Sequence, residues 1–292
     1  MKLYSYQPPK DYKFETLKEL ALWFTVPKSF NDVFELKAPL LMNPAVQPPT
    51  QSLDILKLAL RCKRDNHVLH DDEWFDSFSK MNGLLDNEGD YDDLTYPDLG
   101  FMQSMIVNKV KENIGVVCFS DSQLNQLMWA YYAESHTGFC VGYDVDTTKL
   151  PADKLYGKQV NYVSHKPTID IWQLFFSDYT DQLVFTKSKD WAHESEYRIA
   201  SNVKVQDKAG NLIELANQSA SGFKLRMPTS MVVSELICGA KMTNSDKQKL
   251  NEIALLISEK QGKPVEVLHI TEDPNRYKLA LQKAIDTNSK PL

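Results

Sequence analysis

The chain has 292 residues and is 42% hydrophobic, which is enough to bury a substantial core in one or two domains. A formal net charge of −6, with no run of Lys and Arg, argues against a protein that holds nucleic acid through its phosphates. The chain starts without an apolar signal core and has no apolar run of membrane-spanning length. We therefore expect a cytoplasmic protein without membrane contact.

The N-terminal segment alternates strand and helix patterns. Aromatic alternation predicts a first strand over Lys2 to Tyr6, then a short helix over Phe14 to Leu22 and a second strand over Leu22 to Thr25. Residues 50–112 are expected to form a helical insertion, because 53–60, 71–85 and 101–110 each place apolar side chains at helical spacing.

An acidic run at 86–98 and two nearby histidines are the features closest to a metal site. The run lacks the alternating ligands and the closing glutamate of a calcium loop. His67 and His70 lack a third nearby ligand for zinc, and the four cysteines lack zinc or redox spacing. No metal is therefore expected, and the cysteines suit a reducing compartment.

A stretch in the middle of the chain, 116–144, combines two strand patterns with a short helix. An apolar strand ends at Phe119, Ser120 to Ser122 offers helix caps, and Phe139 to Tyr143 forms the second strand. Polar and aromatic residues gather at the strand end and on the helix, where clefts form: Ser120, Asn125, Trp129, Tyr132 and His136.

A second dense motif, FTKSKDWAHESEYRIA, occupies residues 185–200. Its end alternates like a strand, so that Tyr197 and Ile199 face the core. The opposite face carries Glu194, Glu196 and Arg198. This charged face is either a solvent-exposed ladder of ion pairs, which stabilises little, or a wall of a cleft. Lys187 and Trp191 nearby favour the cleft, and in both cases Glu196→Gln is expected to fold normally.

The C-terminal part predicts a strand over 234–238, a helix over 246–260 and a strand over 265–270. No convincing linker and no internal repeat divide the chain. We therefore predict a single domain, 1–292, with the helical insertion at about 50–112 and this C-terminal strand-helix-strand.

Several separated motifs resemble those of the bacterial domain-of-unknown-function family 2971. In chain order they are Leu3-Tyr4-Ser5-Tyr6, Phe30-Asn31-Asp32, Cys118-Phe119-Ser120, Met128-Trp129-Ala130-Tyr131-Tyr132, His136-Thr137-Gly138, and Lys187 with Trp191-Ala192-His193-Glu194-Ser195-Glu196-Tyr197-Arg198. The resemblance covers most of the chain outside residues 40–112. The family name implies no established activity.

The order of elements also resembles the ADP-ribosyltransferase fold, which implies an α+β fold with a split, mixed β-sheet core. In that fold a residue of the first strand, a Ser or Thr of a middle strand and a Glu of a later strand surround NAD. Tyr6 stands where the fold usually has Arg or His. The resemblance implies NAD as a substrate, with Glu196, Glu194 and Ser120 as catalytic residues. It also implies an NAD-binding cleft formed by Tyr6, Ser120, Trp129, Tyr132, His136 and Arg198.

Two functions of different classes are consistent with these patterns. One is an NAD-dependent ADP-ribosyltransferase-like enzyme that modifies a protein or nucleic acid in phage defence or toxin biology. The other is a non-catalytic binding or regulatory module of a bacterial defence system. A different hydrolytic or nucleotide enzyme, with His136 or His193 as base, stays open as a third. The expected partner is a macromolecular target or an operon partner of unknown identity.

Overall fold

The computed structural model describes residues 1–30, 32, 35–36, 40–41, 114–153, 155–170, 180–202, 204–206, 212–214 and 221–283. Contacts divide the chain into a larger unit of residues 1–35, 111–164 and 185–292, and a smaller unit of residues 36–110 and 165–184. The helical insertion predicted at about 50–112 lies outside the described residues. The single domain 1–292 stays a prediction.

The elements of the described ranges are mostly short strands. The strands are β1 (Lys2–Gln7), β2 (Ala21–Thr25), β3 (Leu40–Leu41), β4 (Ile114–Ser120), β5 (Phe139–Val145), β6 (Tyr156–Gln159), β7 (Asn161–Val163), β8 (Ile169–Asp170), β9 (Thr186–Ser188), β10 (Glu196–Asn202), β11 (Lys204–Gln206), β12 (Leu212–Glu214), β13 (Gly222–Arg226), β14 (Met231–Cys238), β15 (Glu266–Glu272) and β16 (Leu279–Lys283). The α-helices are α1 (Asp11–Lys18), α2 (Gln126–Tyr131), α3 (Thr180–Val184) and α4 (Asn244–Gln261). Short 3₁₀ turns cover Pro27–Ser29, Leu150–Asp153 and Lys189–Glu194.

The larger unit is built on a mixed, mostly antiparallel sheet of ten strands. Its order is β13-β2-β4-β1-β5-β14-β15-β16, and β10 and β6 extend it from β4. β14 and β15 pair in parallel, with α4 as the crossover between them. The α+β class and the C-terminal strand-helix-strand are therefore confirmed. The sequence patterns missed β16, which pairs with β15 in antiparallel fashion. In the smaller unit, β3 pairs in parallel with β8.

The two edges of β4 are paired to different extents. β4 pairs with β10 along its whole length, from Ile114 opposite Asn202 to Ser120 opposite Glu196. On its other edge, β1 meets β4 at Tyr4 opposite Ser120, and β2 meets β4 at Thr25 opposite Val116. On this edge β4 is thus paired at one position with each neighbour, whereas on the other edge all seven of its residues pair with β10.

Both faces of β1 and β5 are buried, which suits their nearly continuous apolar sequences. On one face Phe14 of α1 stacks on Phe139 of β5, with ring centroids 4.8 Å apart, and apolar residues of α4 join this cluster. On the other face the edge of Tyr6 meets Trp129 of α2, with centroids 5.2 Å apart. Because successive side chains point to opposite faces, each of these strands contributes to two hydrophobic cores.

Two helices differ in extent from the sequence patterns. The first begins at Asp11 and ends at Lys18, and Leu20, with a left-handed φ of 51°, then turns the chain into β2. The second begins later than the predicted caps: the side chain of Asn125, rather than Ser120 to Ser122, accepts hydrogen bonds from the amides of Leu127 and Met128. An Asn cap satisfies amides that the first helical turn leaves without partners.

Gly138 precedes β5, and its backbone lies against the end of β1. A Cβ atom here would lie 2.1 Å from the carbonyl oxygen of Gln7, which belongs to the backbone and cannot rotate away. We expect Gly138→Ala to lower the free energy of unfolding by about 3 kcal/mol through overpacking. The control is Gly262→Ala, where no atom lies within 4 Å and only left-handed strain is added, a cost of about 1 kcal/mol. Urea unfolding compares the two variants, and equal losses would contradict the close approach at Gly138.

Candidate functional site

A cavity of about 470 Å³ lies against the middle of β4. Its wall is formed by β1, α1, β2, the middle of β4, and the segment from β9 to β10, all within the larger unit. The volume falls within the range of about 300–1,000 Å³ that is typical of small-molecule sites. These elements together form the candidate site.

Five ionisable side chains of the cavity wall form what we call the ion cluster: Glu35, Lys187, Glu194, Glu196 and Arg198. Glu196 is the centre of this cluster. One of its carboxylate oxygens accepts a hydrogen bond from Nζ of Lys187 at 2.5 Å, and the other accepts one from Nε of Arg198 at 2.6 Å. Lys187 also donates to Glu194 at 2.5 Å, and Arg198 pairs with Glu35. All five residues are at most 7% exposed, so they satisfy one another's charges instead of relying on water.

Glu194 enters the cluster by a different backbone route from Glu196. It ends the 3₁₀ turn Lys189–Glu194, and β10 begins only at Glu196. Ser195 between them is left-handed, with φ of 46° and ψ of 52°, so the backbone is not extended there. The strand-face interpretation is therefore correct for Glu196 and Arg198 and wrong for Glu194. The hydroxyl of Tyr132 completes the surroundings of Glu194 by donating to its Oε1 at 2.5 Å.

The two glutamates have pKa values that are moved in opposite directions. Burial raises the pKa of Glu194 to about 7, and a hydrogen bond with Glu196 and repulsion from its carboxylate add to the rise. Burial acts on Glu196 as well, but Arg198, the hydrogen bond with Glu194 and Lys187 outweigh it and hold the pKa of Glu196 below its usual range. Near neutral pH the pair therefore shares one titrating proton, carried by Glu194, while Glu196 stays ionised.

The charged face of β10 is a cleft wall and not a solvent-exposed ladder. The side chains of Glu196 and Arg198 are 4% and 1% exposed. Carboxylates raise the pKa values of both Lys187 and Arg198 against the effect of burial, so the two cations remain charged. The expectation that Glu196→Gln folds normally rested on a face that lies opposite to Tyr197 and Ile199, and the burial of Glu196 removes that ground.

Five of the residues that the sequence proposed for the site line the cavity: Tyr6, Tyr132, Glu194, Glu196 and Arg198. The hydroxyl of Tyr6 donates to the carbonyl of Ser122 at 2.6 Å, and burial raises its pKa. Tyr6 and Tyr132 therefore present aromatic surface to the cavity while their hydroxyls are engaged with the protein. These positions are consistent with ligand contact, and their roles stay predictions.

Ser120, Trp129 and His136 lie elsewhere and are not among the described residues that line the cavity. The buried hydroxyl of Ser120 donates to the carbonyl of Glu194 at 2.8 Å. Trp129 is fully buried, and its Nε1 donates to the carbonyl of Gln123 at 2.8 Å. His136 stacks on Trp129, with ring centroids 6.3 Å apart. The structure thus places Ser120 behind the turn that carries Glu194, and the other two under the cavity wall.

Several further residues of the wall were not assigned to the site from the sequence: Lys13, Phe30, Glu35 and Cys118. The guanidinium of Arg198 lies over the ring of Phe30, 5.6 Å from its centroid. Cys118 is two residues before Ser120 and opposite Arg198 in the strand pairing, so alternation along β4 is a signal that could have found it. Cys118 is exposed at the cavity wall, but the surrounding protein and the Glu196 carboxylate raise the pKa of its thiol, which disfavours a reactive thiolate.

The described ranges contain neither a grouping of metal-ligating side chains nor a helix that could span a membrane. No group of three His, Cys, Asp or Glu side chains there is arranged to hold a metal ion. None of the helices described in the structure is long and apolar enough to cross a membrane.

Residues 128–199 match the model of a protein family described as "Protein of unknown function (DUF2971)". The family prediction made from the sequence is therefore confirmed over this stretch. No curated protein and no solved structure shows a significant match to the chain. The matched stretch contains four of the five residues of the ion cluster, so the family segment carries most of the charged wall.

The pairing of the ion cluster predicts that Glu196 is required for stability. Glu196→Gln removes the carboxylate that both Lys187 and Arg198 contact, and leaves two buried cations undercompensated. We expect the free energy of unfolding to fall by about 3 kcal/mol, as for other broken buried pairs. Glu15→Gln is the matched control, because Glu15 is 56% exposed and pairs with Lys18 at the surface, where a loss below about 0.5 kcal/mol is expected. Similar denaturation midpoints for both variants and the wild type would contradict this role.

The raised pKa of Glu194 predicts a pH dependence with a definite sign. Its folded-state pKa of about 7 lies above the ordinary value of 4.5, so the folded protein binds this proton more tightly than the unfolded chain. The resulting stabilisation is complete below pH 4.5 and is lost as the pH rises through about 7.

The measurement is urea unfolding of the wild type and Glu194→Gln over the same pH series. Between about pH 4.5 and pH 8 the wild type should lose about 3 kcal/mol relative to the Gln variant. Effects of other groups appear in both proteins, so the difference isolates Glu194. A difference that stays constant across the series would show that the pKa of Glu194 is not raised.

Proposed function

We propose that this chain is an NAD-dependent ADP-ribosyltransferase-like enzyme, which cleaves the bond between ribose and nicotinamide and transfers ADP-ribose to a protein or nucleic acid. The observation that carries the proposal is the pair Glu194 and Glu196, whose pKa values are separated at the wall of the cavity. Separated pKa values in neighbouring carboxyl groups are typical of an acid or base that works beside a charge-stabilising carboxylate. A setting in bacterial defence or toxin action belongs to the same proposal.

Charge on the cavity wall suits the bond cleavage. When the bond from ribose to the pyridinium nitrogen breaks, its electron pair stays with nicotinamide, which leaves as a neutral molecule. Positive charge then develops on the sugar, and a nearby carboxylate lowers the barrier. With Glu194 ionised, the three carboxylates of the ion cluster outnumber its two cations, and the cluster carries one net negative charge. Lys187 and Arg198 fix Glu196, so no reorientation is needed as the charge appears.

Glu194 suits the transfer half of the reaction. A nucleophile that attacks the sugar carbon forms the new bond and must release a proton. The carboxylate of Glu194 can accept this proton, because a general base works best when its pKa lies near the ambient pH. Its pKa of about 7 meets this condition, while Glu196 is too acidic to act as the base.

Aromatic side chains of the wall suit a ligand with flat rings. Tyr6 and Tyr132 line the cavity together with Tyr4, Tyr12 and Phe30. Aromatic surfaces bind planar groups through stacking and edge contacts. In this proposal Ser120 acts through its hydrogen bond to the carbonyl of Glu194 and is a positioning residue, whereas the resemblance assigned it to contact with NAD.

A non-catalytic binding or regulatory module is the second candidate, and one observation favours it. Each of the carboxylates of the ion cluster already has a cationic partner within the protein, and Glu194 is fully buried. A closed network of this kind can shape a binding cavity without taking part in any reaction. The two candidates differ in whether bound NAD is consumed.

Nicotinamide release from NAD by the purified full-length protein tests the first candidate. Glu194→Gln should lower the rate by at least about a hundredfold, the usual scale for removing a proton-transfer group. The control Glu15→Gln changes a surface carboxylate outside the cavity and should keep the wild-type rate. Calorimetry with NAD accompanies each assay. Binding of NAD without nicotinamide release would reject the enzyme and support the binding module.

A further inference from the structure

Lys13 is a cation of the cavity wall that pairs with no carboxylate in the part of the chain that the structure describes. It lies on α1 and is half-buried, and its Nζ is 5.4 Å from the ring centroid of Tyr12, another cavity residue. Burial and the positive charge of Lys10 lower the pKa of Lys13. The protein itself thus provides little compensation for this charge, which is unfavourable for a partly dehydrated cation.

The acidic side chains nearest to Lys13 along the chain are engaged with other lysines. The pairs are Asp11 with Lys249, Glu15 with Lys18, and Glu19 with Lys224. Because these three carboxylates are engaged elsewhere, Lys10 and Lys13 have no acidic partner among the described residues of the kind that a surface helix often supplies. The N-terminal turn of α1 therefore contributes uncompensated positive charge to the wall.

The ion cluster offers no comparable attraction for an anion. Lys187 and Arg198 are already paired with carboxylates, and ionisation of Glu194 makes that wall negative overall. An anionic group of a ligand would be repelled there and attracted to Lys13. The charge distribution of the cavity thus orients a ligand that carries an anionic group at a distance from its reactive centre.

We propose that Lys13 binds a phosphate group of the ligand that occupies this cavity, beside the ring of Tyr12. A lysine ammonium is a compact charge that suits phosphate oxygens, and pairing would satisfy a cation that has no carboxylate partner among the described residues. The inference deepens the proposed function and rests on it in one respect: the phosphate belongs to a nucleotide in the same cavity. It names Lys13 as the residue that selects phosphorylated ligands over neutral ones.

Calorimetry with ADP and with adenosine, which differ by the diphosphate, tests this selection. The wild type should bind ADP at least about tenfold more tightly than adenosine, as expected for one charge-assisted contact. Lys13→Ala should remove most of this preference by weakening ADP binding alone, and Lys13→Arg should retain it. Lys18→Ala is the matched control, because Lys18 lies on the same helix, pairs with Glu15 and does not line the cavity among the described residues.

Three results would overturn the inference: no ADP binding by the wild type, equal affinities for ADP and adenosine, or an unchanged preference in Lys13→Ala. Nicotinamide release from NAD, measured on the same proteins, separates this inference from the proposed function. A preference for ADP that depends on Lys13, without any nicotinamide release, would reject the enzyme and keep the phosphate site. If nicotinamide release and ADP binding are both unchanged in Lys13→Ala, the phosphate site is rejected and the enzyme is kept.

Discussion

The arrangement of the site depends on the carboxylate of Glu196, which lies between Lys187 and Arg198. Two buried cations are tolerated only where anions compensate them, and Glu196 contacts both with hydrogen bonds of 2.5 and 2.6 Å. Through these contacts β9 is joined to β10, and through Arg198 and Glu35 the segment after β2 is joined to the same point. The charged wall and the local fold therefore share one set of interactions.

The charge of Glu194 is compensated less completely than the charge of Glu196. Glu194 has one cationic partner, Lys187, where Glu196 has two, and it is held in place by neutral groups. The Tyr132 hydroxyl fixes its carboxyl group, and the Ser120 hydroxyl fixes its backbone. Burial makes the ionised form of Glu194 unfavourable, and because its compensation is weaker than that of Glu196, its pKa is raised to about 7. The ionised form is therefore less stable at Glu194 than at Glu196, which two cations compensate.

Sequence patterns could predict the features that depend on local periodicity. Alternation placed Glu196 and Arg198 on one face of a strand, and helical spacing found the C-terminal strand-helix-strand. The same patterns could not show the left-handed Ser195, which changes the route of Glu194, because a Ser rarely adopts that conformation. Nor could they show that Ser120 donates to a carbonyl 74 residues away, or that Arg198 pairs with Glu35. Such contacts follow from strand order, which local spacing does not encode.

The residues of the cavity wall come partly from inside and partly from outside the stretch that matches the family. The glutamate pair, Lys187 and Arg198 lie within residues 128–199, the stretch that matches the family of unknown function. Lys13 and the tyrosines of β1 and α1 come from outside that stretch and form another part of the wall. Most of the charged wall and the N-terminal part of the wall therefore come from different parts of the sequence. β4, whose middle also lines the cavity, pairs fully with β10 and at one position each with β1 and β2, so it connects the family-matched strand to the N-terminal strands within one sheet.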